Sequence, residues 1–456
     1  MVVGPEVLAS QNRWWKGKDY MAQDEDHRKW QAKKYKWVPN LIEEIETTPY
    51  SLHFLFGPRQ VGKTTFLKLL VKKLLDSGAK EESIFYFRCD ELSDFKELSE
   101  VITGYLNMRK RLGIKNSYIL LDEITFPKEW YRSIKSLVDA GELKNDVLVL
   151  TSSTSLLVKR EAETFPGRRG KGKDFTMLPL SFRNFIKVAD AGLYARLPSL
   201  KSLEEDEIRR RTAVCLPFLD ELNELFEKYM SCGGFPLSVE SFLTGGVVER
   251  SVHEAYLAWL KNDVAKIGRS VEIARAVVKV LLTKTPSPIS WESIAKEIEI
   301  KSPKTANAYV HLLNSLFVTL TLHHIDPSRG SINFGKNKKI HFLDPLFYQA
   351  FSEWCLVNLK DPEPTIAEAT VASHLARFSL RGELGENIFY WRNGAEVDVV
   401  IESNGLKGFE VKWGEKAEAK RVMIGKMKQF AVLSKGAFRE KPLMVPVSAL
   451  LACMDV

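Results

Sequence analysis

The chain has 456 residues, of which 45% are hydrophobic and 27% charged, a balance that excludes disordered and collagen-like polymers and fits roughly two to four globular domains. Its formal net charge is +8, and a basic surface of this kind favours polyphosphate partners, nucleic acid above all. The five cysteines form no C-x-x-C pair, which argues against a zinc ribbon or a disulfide framework and fits a reducing cytoplasm; no run of 18 apolar residues predicts a membrane span, and residues 1–15 lack the basic-then-apolar pattern of a secretory signal.

In chain order, residues 1–36 read as a polar arm bearing Trp14, Trp15 and Trp30, expected to pack against the following core rather than to stack on bases. A helix is expected over Val38–Glu46. Residues 37–180 then alternate short apolar runs with helical stretches. SLHFLF (51–56), SIFYF (83–87), YILLD (118–122) and VLVLTSS (147–153) carry little polar alternation, as strands of a parallel sheet covered on both faces do. Helices are expected over Lys63–Ser77 and Pro127–Ala140, so this part is an α/β fold. Residues 181–282 have helical spacing, interrupted at Gly233-Gly234-Phe235-Pro236 and Gly245-Gly246, and suggest a helical lid.

Gly57-Pro58-Arg59-Gln60-Val61-Gly62-Lys63-Thr64, followed by Thr65, is a complete G-x-x-x-x-G-K-[ST] phosphate-binding loop placed between an apolar strand and a helix. The glycines let backbone N–H groups turn toward phosphate. The helix N-terminus points the same way, Lys63 can reach the outer phosphates, and the Thr64 hydroxyl can ligate Mg²⁺. Asp122 and Glu123 leave the end of the YILLD strand, where open sheets bind ligands. Asp122 is expected to hold the Mg²⁺ shell and Glu123 to polarise an attacking water, which points to an NTP hydrolase. Ser152 or Ser153 is a candidate γ-phosphate sensor within Thr151–Ser155. Arg168 and Arg169 of the basic Gly167–Gly170 loop are candidate transition-state arginines, in cis or from another subunit of a homo-oligomer.

GPRQVGKTT, YILLDEI, TSSTS, PGRR, FTMLPLSFRNF and CGGFPLSVE, in this order, resemble the AAA-type ATPases of archaea and bacteria. The resemblance implies a P-loop NTPase core with a parallel sheet, a helical lid, ATP and Mg²⁺ at Lys63, Thr64, Asp122 and Glu123, and a phosphate contact from Arg168 or Arg169. The family usually has a glycine in the sensor stretch where this chain reads TSS.

Residues 283–330 read as a helix-turn-helix: an apolar helix with Trp291, Ile294, Ala295 and Ile298, a turn, a second helix with Ala306, Tyr309, Leu312, Leu313 and Leu316, then a wing strand over Phe317–Ile325. The resemblance likewise implies a winged helix here. Lys301, Lys304 and Asn307 stand near the start of the second helix, where base and phosphate contacts are made. In residues 331–456, Glu396–Ile401 and Lys407–Val411 read as strands joined by a turn at Ser403-Asn404-Gly405. Asp398 and Glu410-x-Lys412, with Glu368 on an upstream helix, resemble the PD-(D/E)xK nuclease pattern, in which Glu368, Asp398 and Glu410 hold Mg²⁺ and Lys412 orients water. A surface hairpin with ion pairs, or a scaffold that binds DNA without cutting, uses the same residues.

The expectation is therefore a cytoplasmic ATP- and Mg²⁺-dependent ATPase acting on DNA, double-stranded or branched, with no membrane partner. A slow nucleotide-controlled signalling or defence switch and a protein remodeller are the alternatives.

Overall fold

The computed structural model describes residues 5–153, 165, 167–380, 384–393, 395–414 and 427–456. The chain divides into two compact units, Met1–Leu178 and Pro179–Val456.

The first unit is built on a five-stranded parallel sheet: β1 (Ser51–Phe56), β2 (Ile84–Arg88), β3 (Tyr118–Asp122), β4 (Val147–Ser152) and β5 (Asp174–Thr176), in the order β2-β3-β4-β1-β5. The four expected strands are present within a residue or two, and almost every residue in them is buried. β4 lies between β1 and β3, so the strand carrying Asp122 is one strand removed from the strand that feeds the phosphate loop. β5 was not expected; its three residues are too few for a pattern to stand out. The helices α3 (Lys63–Asp76), α4 (Phe95–Arg111) and α5 (Trp130–Asp139) cover the sheet. α4 starts at Asp94, whose carboxylate accepts from the N–H groups of Lys96 and Glu97.

The N-terminal arm is part of this unit. It forms α1 (Pro5–Gln11) and α2 (Glu25–Ala32) and covers β2, an edge strand whose backbone would otherwise lack partners. Asn12 receives the Tyr86 N–H at 2.7 Å and donates to the Tyr86 carbonyl at 2.8 Å. Gln11 accepts from Arg88 N–H, and the indoles of Trp14 and Trp15 both donate to the Ile84 carbonyl. Trp14 is fully buried. Asp24 of the arm forms a buried ion pair at 2.8 Å with Lys68 of α3, whose ammonium also lies 3.5 Å from the centre of the Tyr86 ring. The helix expected over Val38–Glu46 is a single turn, Asn40–Glu43. Ile42 and Ile45 are buried three residues apart, which one tight turn satisfies, and the Glu46 carboxylate then ties down Thr48.

The second unit opens with helices, as expected: α6 (Phe182–Ala189), α7 (Ala191–Tyr194), α8 (Glu205–Cys215), α9 (Leu219–Cys232), α10 (Pro236–Gly245), α11 (Arg250–Lys266) and α12 (Val271–Lys284). The break at Gly233 has a steric cause. Its φ is +69°, and a Cβ there would lie 1.9 Å from the carboxylate of Asp344, which accepts from Gly234 N–H and Leu346 N–H. Burial raises the Asp344 pKa to about 6.

Two shorter helices follow, α13 (Trp291–Glu297) and α14 (Pro303–Ser315). Then comes a sheet: β6 (Thr319–Asp326), β7 (Ser331–Asn333), β8 (Lys339–Phe342), β9 (Ile388–Asn393), β10 (Ala395–Glu402), β11 (Leu406–Lys412), β12 (Met427–Ser434) and β13 (Met444–Pro446). β8 pairs antiparallel with β6, and Ile289 bridges to Lys338. β6 also pairs with β9, His323 opposite Phe389, so the sheet runs continuously across the boundary expected at residue 330. α15 (Leu346–Cys355), α16 (Pro362–Phe378) and α17 (Val447–Cys453) complete the unit. The cysteines are far apart in sequence, yet Cys215 and Cys453 meet in the core with sulfurs 3.4 Å apart. Among the described residues no helix is long and apolar enough to cross a membrane.

Candidate nucleotide site

β1 ends at Phe56 and α3 opens at Lys63, with the loop between them held by steric necessity. At Gly57 a Cβ would sit 2.2 Å from the Met177 carbonyl, and Gly62 has φ +103°, a region glycine enters without penalty. Pro58 and Val61 are buried, and the Arg59 guanidinium lies over the Phe126 ring. The Lys63 ammonium folds back on its own loop, donating to the carbonyls of Gly57 and Pro58 at 2.9 Å each and to Ser153 Oγ at 3.2 Å.

Thr64 and Asp122 meet at the mouth of this loop: Thr64 Oγ1 donates to Asp122 Oδ2 at 2.6 Å. A hydroxyl and a carboxylate in contact beside a phosphate loop are the hard oxygen donors that Mg²⁺ prefers. Asp122 is oriented by two further donors, the Tyr86 hydroxyl at 3.1 Å and the Thr151 hydroxyl. Burial, then the Asp122 charge, holds the Tyr86 phenol well above its ordinary pKa, so it remains a donor. Glu123 leaves the strand with φ +53°, and its N–H donates to Thr151 Oγ1. The turn brings its carboxylate to Ser153, whose hydroxyl donates to Glu123 Oε1 at 2.5 Å; Glu123 Oε2 is buried without a hydrogen-bond partner. Ser153 thus touches both Lys63 and Glu123, whereas Ser152 Oγ lies 3.4 Å from Thr125 Oγ1.

A family model described as "AAA domain" matches residues 50–186, and one described as a domain of unknown function (DUF8612) matches residues 223–354. Residues 50–186 are an AAA-type P-loop domain. An uncharacterized protein of Methanocaldococcus jannaschii, MJ1544, is 24% identical over 385 residues, 81% of this chain and 76% of that protein. The solved Aeropyrum pernix ORC1 protein in complex with DNA aligns at 15% identity and TM-score 0.32, covering 78% of this chain and 98% of its own. The Aeropyrum pernix ORC2 protein (ADPNP-ADP complexes) aligns at 11% identity and TM-score 0.38, covering 73% and 92%.

Within the AAA domain, Lys63, Thr64, Asp122, Glu123 and Ser153 come together. Arg168 and Arg169 are engaged elsewhere in the unit: Arg168 Nε donates to Asp139 at 2.5 Å and Arg169 pairs with Asp174. Thr154, Ser155, Pro166 and residues 156–164 of the basic stretch lie outside the described residues. Nothing in the sequence marks Tyr86, and Thr151 stands there only as one of the hydroxyls of Thr151–Ser155, because their contacts with Asp122 depend on which strands are neighbours. β2 runs beside β3, with Tyr86 opposite Leu120, and β4 runs on the other side of β3.

In the second unit, Glu368 of α16, Asp398 of β10 and Glu396 of β10 surround one cation, the ammonium of Lys339 on β8, at 2.8, 2.8 and 2.6 Å. Burial opposes the charge on Lys339, but the carboxylates of Glu368, Asp398 and Glu396 outweigh it and raise its pKa. Glu410 and Lys412 share a face of β11, as expected, and pair with each other at 2.7 Å. Glu415 and Lys416, at the end of the stretch read for this pattern, lie outside the described residues. Among the described residues no three acidic, histidine or cysteine side chains are grouped to hold a metal ion. Lys339 and Glu396 were not singled out as site residues in the sequence, since nothing local marks a strand lysine as the partner of acids 29 to 59 residues away.

Proposed function

We propose that this protein is a Mg²⁺-dependent ATP hydrolase whose nucleotide cycle is coupled to DNA. The observation that carries the ATPase reading is the contact of Thr64 with Asp122 beside a glycine-turned loop, with Ser153 linking Lys63 to Glu123. Thr64 and Asp122 would hold Mg²⁺, which when bound neutralises charge on the outer phosphates. Lys63 leaves the carbonyls of its own loop to meet the β- and γ-phosphates, and backbone N–H groups of residues 57–64 line the phosphate chain. Glu123 accepts the hydrogen bond of the attacking water and draws its proton, with Ser153 fixing the carboxylate. Arg168 or Arg169 would reach the γ-phosphate only by leaving Asp139 or Asp174.

The DNA reading is supported by the chain's charge and by α12–α14, β6 and β8. These have the order of a winged helix, with Lys301 and Lys304 exposed at the start of α14. The order of α16, β9, β10 and β11, with Glu368, Asp398, Glu410 and Lys412 upon it, supports a nuclease-like scaffold that adds DNA-binding surface. Residues 405–456 carry ten basic and five acidic side chains.

Phosphate release by the full chain with Mg²⁺, alone and with linear, branched or single-stranded DNA, tests the proposal. DNA-stimulated turnover that Lys63→Ala abolishes is the expected result. Turnover indifferent to every DNA would leave the ATPase and remove its proposed partner. One contact favours a slow switch over a fast motor: the Ser153 hydroxyl donates to the Glu123 carboxylate at 2.5 Å, a hydrogen bond that competes with the one the carboxylate would make to water. Turnover well below one per minute even with DNA would select the switch.

A further inference from the structure

The last residues of two helices meet inside the second unit. Cys215 ends α8 and Cys453 ends α17, and the two stand 238 residues apart in the chain. Both are completely buried, their sulfurs lie 3.4 Å apart, and both face one acceptor, the Arg211 carbonyl, at 3.6 and 3.8 Å. The other three cysteines, Cys89, Cys232 and Cys355, face the backbone carbonyls of Phe87, Gly233 and Arg275, and among the described residues none of them has a second sulfur within hydrogen-bonding reach.

A single buried cysteine packs as a small apolar group. Two thiols in contact at this depth are a different case, because the segment carrying Cys453 is held by contacts besides the sulfurs. The Leu200 N–H donates to the Cys453 carbonyl at 2.7 Å, the Arg183 guanidinium donates to the Ala452 carbonyl at 2.5 Å, and the Ser448 hydroxyl donates to Asn223 at 2.6 Å. The backbones on either side therefore hold the sulfurs together. A disulfide bond of about 2.05 Å requires them to approach by only roughly 1.4 Å more than the observed 3.4 Å. Helix ends yield most easily, and each cysteine stands at one.

We propose that Cys215 and Cys453 are a disulfide-forming pair, which takes a disulfide of the R–S–S–R class as its oxidant and closes a covalent ring from the end of α8 to the end of α17. The Cys215 thiolate attacks one sulfur of R–S–S–R, forming a mixed disulfide and releasing R–S⁻. The Cys453 thiolate then attacks the Cys215 sulfur, and the second R–S⁻ leaves. Two chain thiols are oxidised, one small disulfide is reduced to two R–SH, and the two protons lost by the cysteines end on these. The hydrogen bond from Cys453, opposed by burial and helped by the charge of Arg183, lowers the Cys215 pKa, which makes Cys215 the attacking sulfur. The ring encloses residues 216–452, most of the second unit, and closing so long a loop strongly restricts the unfolded chain. Burial also keeps reductant from the bond once it has formed. Neither ATP hydrolysis nor DNA binding enters this chemistry.

The test is a count of thiols in the full-length chain after equilibration with oxidised glutathione, at room temperature and again just below the melting temperature, where helix ends open often. Of the five cysteines, three should react with a thiol reagent after denaturation, and mapping of non-reduced peptides should join the Cys215 peptide to the Cys453 peptide. The oxidised chain should melt about 5 °C or more above the same chain kept in dithiothreitol. Cys215→Ala and Cys453→Ala should each form no internal link and lose that difference, whereas Cys232→Ala should retain both. Five free thiols in the wild type under both conditions would overturn the proposal, as would a link to Cys89, Cys232 or Cys355 instead, or glutathione attached to Cys215 or Cys453 with no bond between them. A bond that leaves the melting temperature unchanged would also overturn it, because the ring would then constrain nothing. The thiol count and the peptide map are read on the wild type, so they decide the matter even where an alanine variant fails to fold.

Discussion

Ser153→Ala is the most informative single change in the AAA domain. Ser153 Oγ donates to Glu123 Oε1 at 2.5 Å and receives Lys63 Nζ at 3.2 Å. The second carboxylate oxygen of Glu123 is buried without a partner, so the serine hydroxyl carries most of the orientation of that side chain. A hydrogen bond to a charged group contributes roughly 1.5–3 kcal/mol. At 1.36 kcal/mol per factor of ten in rate, its loss should lower kcat by about 10- to 100-fold. Lys63 donates to the Gly57 and Pro58 carbonyls as well as to Ser153 and leaves these contacts for the phosphates when nucleotide binds, so nucleotide affinity should change by no more than about threefold on the same scale. Ser153→Thr, which retains the hydroxyl, should restore most of the rate, and Ser152→Ala should fall within about twofold of the wild type. Steady-state phosphate release over a range of ATP concentrations separates kcat from KM. Unchanged turnover in Ser153→Ala, or an equal loss in Ser152→Ala, would refute the assignment of Ser153 as the residue positioning Glu123.

Asp24→Ala leaves the buried Lys68 ammonium without its carboxylate, and breaking such a pair costs about 3–5 kcal/mol; urea denaturation followed by the fluorescence of buried Trp14 should show the first unit destabilised by that amount. Lys301→Ala/Lys304→Ala removes two candidate phosphate contacts, so the slope of log affinity for duplex DNA against log salt should become shallower by about 2, as measured by fluorescence anisotropy. Asp344 has a folded pKa of about 6 against an ordinary 3.8. Its contribution is therefore fully present below pH 3.8 and is lost as pH rises through 6, up to about 3 kcal/mol in total. Denaturation at pH 4 to 7 should show the wild type losing stability relative to Asp344→Asn across that window, and a constant difference would contradict it.

The parts of the fold that show in the sequence are those set by local rules. The four apolar runs of the first sheet carry little polar alternation because both of their faces are covered, and they appear as strands within a residue or two of the expected positions. The glycine spacing of residues 57–62 is dictated by the close approach of the Met177 carbonyl to Gly57 and by the positive φ of Gly62, so the loop is recognisable from its letters. What escaped depends on contacts between distant segments. The tryptophans of the polar arm pack on the core as expected, but that the arm covers the edge of β2 through Gln11, Asn12, Trp14 and Trp15 does not show in its spacing, because its residues serve one edge strand rather than a periodic face. Tyr86 and Thr151 become part of the site only through the strand order. The meeting of Lys339 with Glu368, Glu396 and Asp398 requires the pairing of β8 with β6 and of β6 with β9, and no spacing along the chain encodes that.

The central claim is that a triphosphate bound at Lys63 and Thr64 is hydrolysed by water oriented at Glu123. Its most direct test is the identity of the nucleotide recovered from purified chain after mixing with Mg²⁺ and ATP. Glu123→Gln should retain close to one ATP per chain, and the wild type should yield ADP and free phosphate. Recovery of ADP from Glu123→Gln at the wild-type rate, or of no nucleotide from either protein, would contradict the account.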